Sequence, residues 1–114
     1  MLRGLLYEIV SSDAAGATLR LLPDSPVYQG HFPGYPITPG VCLVQMAMEL
    51  IEEMAGQAGR KVRLTAAKNI KFTSPVIPEE GKVLRFNLSG EEGDWSVEVY
   101  DGEVLSAKMS LSVE

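Results

Sequence analysis

The chain has 114 residues, 46% hydrophobic and 22% charged, with a formal net charge of −5. This length supports one domain, residues 1–114, and no stretch has the length and apolarity of a membrane span or the form of a secretory signal. A negative balance argues against nucleic-acid binding, and one cysteine, Cys42, with one histidine, His31, supplies no disulfide, thiolate cluster or zinc site. The expectation is a cytosolic protein without metal or cofactor.

Residues Leu5 to Leu22 read as two short strands joined by a turn at Asp13-Ala14-Ala15-Gly16, with Leu19 and Leu21 inward and Thr18 and Arg20 outward. Five prolines between Pro23 and Pro39 predict a rigid connection through which neither helix nor ladder runs. From about Gly40 to Ala55 the pattern is apolar around nearly the whole circumference of a helix, which must then be buried on most sides. It is too short to cross a bilayer, which needs roughly 20 residues, so protein must cover it.

Beyond the helix the period is two. Val62, Leu64, Ala66, Ile70 and Phe72 share one parity, opposite Arg63, Thr65, Asn69 and Lys71. Leu84, Phe86 and Leu88, then Trp95, Val97 and Val99, then Leu105, Ala107, Met109, Leu111 and Val113 continue as one-faced antiparallel strands. Gly90 to Asp94 and Asp101-Gly102 are hairpin signals, the latter of type I′. The order predicts an α+β layer in which a curved antiparallel sheet wraps one long buried helix, the outline of the hotdog fold.

Charge is uneven along the chain. Arg60, Lys61, Arg63, Lys68 and Lys71 form a basic run that could dock an acidic partner or simply line the wetted face of a strand.

Between Val41 and Ile51 only Gln45 and Glu49 are polar. Four residues at 100° place them about 40° apart around the helix and about 6 Å apart along it, so they share a face. A carboxylate there must be hydrogen-bonded or paired, or its pKa rises. Function exploits such groups, but a wetted helix edge or subunit boundary is an equal alternative.

The run Gly30-His31-Phe32-Pro33-Gly34-Tyr35-Pro36-Ile37-Thr38-Pro39-Gly40-Val41 resembles the signature of the β-hydroxyacyl-acyl-carrier-protein dehydratases, and Lys71 to Pro78 resembles that family's proline-bounded strand end. The resemblance implies a hotdog fold, a dimer with sites across the subunit interface, and an acidic acyl carrier protein as partner, docked on the basic run. It implies that His31 works beside an acid on the helix, that the Gly40 amide meets the thioester carbonyl, and that Phe32, Pro39, Gly40 and Val41 line the substrate site. A group titrating near neutrality suits removal of an α-proton, and a helix N-terminus suits a developing enolate oxygen.

The chain departs from the pattern at one point. Where the family has its helix acid, fourteen residues after the histidine, stands Gln45, and where it often has glutamine stands Glu49. A glutamine hydrogen-bonds a leaving hydroxide but gives it no proton. The leading expectation is therefore a dehydratase-like enzyme with His31, Gln45 and Glu49 in its site. A thioesterase, or a non-catalytic acyl-binding subunit paired with an active homologue, are the alternatives.

Overall fold

The computed structural model describes residues 1–30, 37–91 and 93–114. Strands β1 (Tyr7–Asp13) and β2 (Gly16–Leu21) form the opening hairpin, and a short α1 (Pro26–Gly30) and the long α2 (Gly40–Gln57) follow. Strands β3 (Leu64–Phe72), β4 (Val83–Glu91), β5 (Asp94–Asp101) and β6 (Val104–Val113) complete one antiparallel sheet of order β1-β2-β4-β5-β6-β3.

Helix α2 lies against this sheet because its apolar residues recur at helical spacing. Leu43, Met46, Ala47, Leu50 and Ile51 are buried against Leu19, Leu84, Phe86, Val97, Val99, Met109 and Leu111 from the strands. Each fully buried side chain of this size contributes about 1.5–3 kcal/mol, so the helix is held by its face and not by its caps. The helix runs two residues past the expected Ala55. The helix is buried on most sides between Cys42 and Ile51, and one narrow stripe stays open in the single chain: Val41 is 73% exposed and Gln45 is exposed too.

Three sequence expectations need correction. The proline-rich connection does contain a helical turn, α1, because Pro26 occupies its first position, where a missing N–H costs nothing, and the Ser25 hydroxyl accepts from the Val27 amide at 3.3 Å. The Asp101-Gly102 signal makes a hairpin, but its two-residue loop is Gly102-Glu103, with positive φ only at Gly102 (63°), the pattern of a type II′ turn. The single parity of β3 fails because its pairing with β6 shifts between Leu64 and Ala66 and again between Lys68 and Lys71, where Asn69 has φ 52°. Each bulge moves the alternation by one residue. Leu64, Ala67 and Phe72 therefore face the helix side with Val113, Leu111 and Ala107, while Ala66, Lys68 and Lys71 face outward with Ser112, Ser110 and Lys108.

Candidate functional site

Pro39 caps α2 with φ −59° and ψ 142°, without a side-chain hydrogen bond. Its carbonyl accepts from the Cys42 amide at 2.9 Å and from Leu43 at 3.3 Å. Among the described residues no acceptor meets the amides of Gly40 and Val41, the orphan donors of a helix start. Beside them lies a cleft of about 410 Å³ walled by Ile37, Pro39, Leu43, Phe72 and Val76. The arrangement suits an anionic or carbonyl oxygen on an otherwise apolar group.

Glycine at position 40 answers to Phe72. A Cβ there would lie 2.4 Å from the ring's Cζ, so the ring rests directly on the helix start. Thr38 is fixed beside it, its amide donating to the Val76 carbonyl at 2.8 Å and its hydroxyl meeting the Tyr28 hydroxyl at 2.9 Å in buried surroundings. Tyr28 and Thr38 thus join the two flanks of the segment that carries His31 and Phe32. Those two residues themselves lie outside the described residues.

Further along the helix, Gln45 and Glu49 meet, Gln45 Nε2 donating to Glu49 Oε2 at 2.9 Å. Glu49 is 4% exposed and accepts three more hydrogen bonds: from the Leu2 amide (2.8 Å), the Arg3 amide (3.0 Å) and the Tyr7 hydroxyl (2.9 Å). Burial pushes the Glu49 carboxyl up, but the donors from Leu2, Gln45, Arg3 and Tyr7 outweigh it and hold the group below its ordinary value. Burial, followed by the bond to Glu49, pushes the Tyr7 phenol strongly upward. The pair is thus an ionised carboxylate beneath an exposed carboxamide.

Sequence reasoning brought Gln45 and Glu49 to one face but missed Leu2, Arg3 and Tyr7, which are more than forty residues away and carry no local signal. It also missed the contact of Phe72 with Gly40. Among the basic residues, Arg63 is bound to Glu114, its Nε donating to Oε1 at 3.0 Å, while Arg60, Lys61, Lys68 and Lys71 are exposed. Lys71 stands opposite Lys108, a like-charge pair directly across two strands. No metal-ligating cluster occurs among the described residues, and no helix there is long and apolar enough to cross a membrane.

The chain is 33% identical over 98 residues to the 3-hydroxyacyl-[acyl-carrier-protein] dehydratase FabZ of Acidiphilium cryptum, covering 81% of this chain and 58% of that protein. It is 35% identical over 99 residues to the FabZ of Geotalea uraniireducens, covering 77% and 67%. The chain therefore spans little more than half the length of the first of these relatives. Among solved structures, a chain of the dehydratase heterocomplex ApeI:P from Xenorhabdus doucetiae superimposes with a TM-score of 0.75 over 94% of this chain and 96% of its own, at 18% identity, a likeness of fold that makes the sheet and its helix a hotdog. The family model of ApeI dehydratase matches residues 8–110, from the first strand almost to the end of the last, and the chain accordingly belongs to the ApeI-like dehydratase family.

Proposed function

We propose that this protein eliminates water from a β-hydroxyacyl thioester held on an acyl carrier protein, in fatty-acid-like or polyketide-like synthesis in the cytosol. The observation that carries the reading is the helix start at Gly40 and Val41, whose amides meet no acceptor among the described residues, beside an apolar cleft and six residues past the His31-Phe32-Pro33-Gly34 run. The thioester carbonyl accepts from that helix start, and the acyl group lies along Pro39, Val41 and Phe32. His31 takes the α-proton, the C–H electron pair becomes the double bond, and the C–O bond to the β-hydroxyl breaks. The imidazolium then returns its proton to the departing hydroxide, giving water and leaving His31 neutral. Gln45 holds the hydroxyl by a hydrogen bond.

Two further features support a carrier-bound substrate and a dimer. Lys68 and Lys71 of the basic run project with Lys108 from one face of the β3–β6 pair, complementary to an acidic carrier, while Arg63 of the same run pairs with Glu114 at the surface. On the opposite face, Leu64, Ile70 and Phe72 are 40, 39 and 53% exposed, on a strand whose outer edge has no partner among the described residues. A second copy pairing there would cover this apolar strip and complete the site.

A second reading is favoured by the carboxamide at position 45: a subunit that pairs with a homologue carrying the missing acid, as the ApeI:P structure is a heterocomplex. Incubation with 3-hydroxyacyl carrier substrates and mass spectrometry tests the proposal. Loss of one water, abolished in His31→Ala by about 10²–10⁴-fold, is the expected result. Hydrolysis to the free acid would replace this reading with a thioesterase, and turnover only after adding a second hotdog chain would favour the subunit.

A further inference from the structure

Glu49 has no capacity left for chemistry. Its Oε1 accepts from the Arg3 amide and the Tyr7 hydroxyl, and its Oε2 from the Leu2 amide and Gln45 Nε2, at 2.8–3.0 Å. A carboxylate offers about four lone-pair sites, and all four are taken by protein donors. The partners also settle which way the neighbouring carboxamide points. An acceptor-only carboxylate repels the Gln45 carbonyl oxygen and attracts its NH₂, so the chemistry of Glu49 fixes the orientation. Three of the four donors come from the turn before β1 and from Tyr7 at that strand's start, a segment in which the Leu6 amide donates to the Leu2 carbonyl and the Gly4 amide to the Tyr7 carbonyl, both at 2.8 Å. The lock is therefore anchored outside the helix and does not follow Gln45 if that side chain rotates.

We infer that Glu49 is a positioning residue that holds the Gln45 carboxamide with Nε2 inward and Oε1 outward, so that position 45 presents a hydrogen-bond acceptor to the substrate. The selectivity follows from that orientation. A β-hydroxyl has a proton to give to Oε1, whereas the carbonyl of a β-oxoacyl thioester has none and meets an oxygen facing an oxygen. The site then discriminates for the hydroxyacyl and against the oxoacyl thioester by about tenfold, the value of one hydrogen bond near a charged group. That position 45 meets the substrate, and which group it meets, rest on the dehydratase reading; the orientation of Gln45 does not.

The experiment follows the side-chain amide resonances of Gln45, identified by their disappearance in Gln45→Ala, together with binding of 3-hydroxyacyl and 3-oxoacyl pantetheine thioesters. In the wild type, one Nε2 proton shifts as Glu49 titrates below the ordinary carboxylate range. In Glu49→Gln, that pH response vanishes, the new NH₂ turns Gln45 over, and the preference for the hydroxyacyl thioester falls about tenfold. If Glu49→Gln does not fold, Tyr7→Phe removes one donor and should move the titration seen at Gln45 to higher pH. A Gln45 amide indifferent to pH, or a preference unchanged in a folded Glu49→Gln, overturns the inference. A pH-sensitive amide with no binding of either thioester leaves the lock standing and defeats the dehydratase reading.

Discussion

Replacing Gln45 by glutamate puts an acid at the position where the dehydratase resemblance implies one, directly over the Glu49 carboxylate. The wild-type contact is 2.9 Å from Nε2 to Oε2, so the new carboxyl centre would sit about 4 Å from that of Glu49. Two charges at that separation repel by about 1 kcal/mol in water and about 4 kcal/mol at an effective dielectric near 20, which raises the pKa of the new group by about 1 to 3. Glu49 keeps three protein donors and hence its charge, so the proton resides on position 45. A folded pKa above the unfolded value of about 4.3 means that the native state binds the extra proton. Stability relative to wild type is then retained below about pH 4 and lost as pH rises through about 5 to 7, by about 1–4 kcal/mol in total. In the same window position 45 is a carboxylic acid able to protonate a leaving hydroxide, so turnover of Gln45→Glu should exceed wild type at mildly acid pH and decline as the acid ionises. A ¹³C carboxyl titration with urea unfolding at about pH 4 and about pH 8 measures both effects. An ordinary midpoint with a pH-independent stability difference would refute the contact between positions 45 and 49 on which the reasoning depends.

Tyr28→Phe should cost about 1–3 kcal/mol in urea unfolding by orphaning the buried Thr38 hydroxyl, and Thr38→Val added to it should recover part of that loss. Gly40→Ala should displace the Phe72 ring, visible in its NMR shifts, and in a Phe72→Ala background the same change should stabilise by about 0.5–1 kcal/mol through helix propensity alone. Lys71→Glu should relieve the repulsion from Lys108, raising stability by a few tenths of a kcal/mol while weakening an acidic carrier at low salt; undiminished affinity would return the lysines to a solvated face.

Much of this architecture was legible because its signals are local. Leu84, Phe86, Val97, Val99, Met109 and Leu111 alternate without interruption and are all buried, and Gln45 and Glu49 share a face because the helical period dictates it. What failed depends on pairing between distant segments. The bulges of β3 arise from its register with β6, a strand distant in sequence, and only the tolerance of Asn69 for positive φ hints at one of them. The requirement that Glu49 be hydrogen-bonded followed from its burial. That the N-terminal turn would satisfy it did not, since main-chain donors at Leu2 and Arg3 look alike in any sequence. His31 and Phe32, on which the chemistry is proposed to turn, were recognised from motif alone.

The bulges also explain how one edge strand can serve two surfaces. In a strictly alternating strand Leu64, Lys68 and Phe72 would have the same parity, and a lysine would stand between the two apolar residues on the helix side. The first shift, after Leu64, turns Ala67 inward and Lys68 outward; the second, after Lys68, keeps Lys71 outward and restores Phe72 to the inside over Gly40. Inward-pointing charge is a common protection of a sheet edge against pairing with another chain. Here the irregularities remove that protection from the helix side and gather Lys68 and Lys71 with Lys108 on the other, accepting the repulsion between Lys71 and Lys108. An isolated strand gains nothing from that exchange. It becomes favourable when the apolar side is covered by a second subunit and the lysines are met by an acidic partner, which ties the conformation of β3 to both proposed contacts.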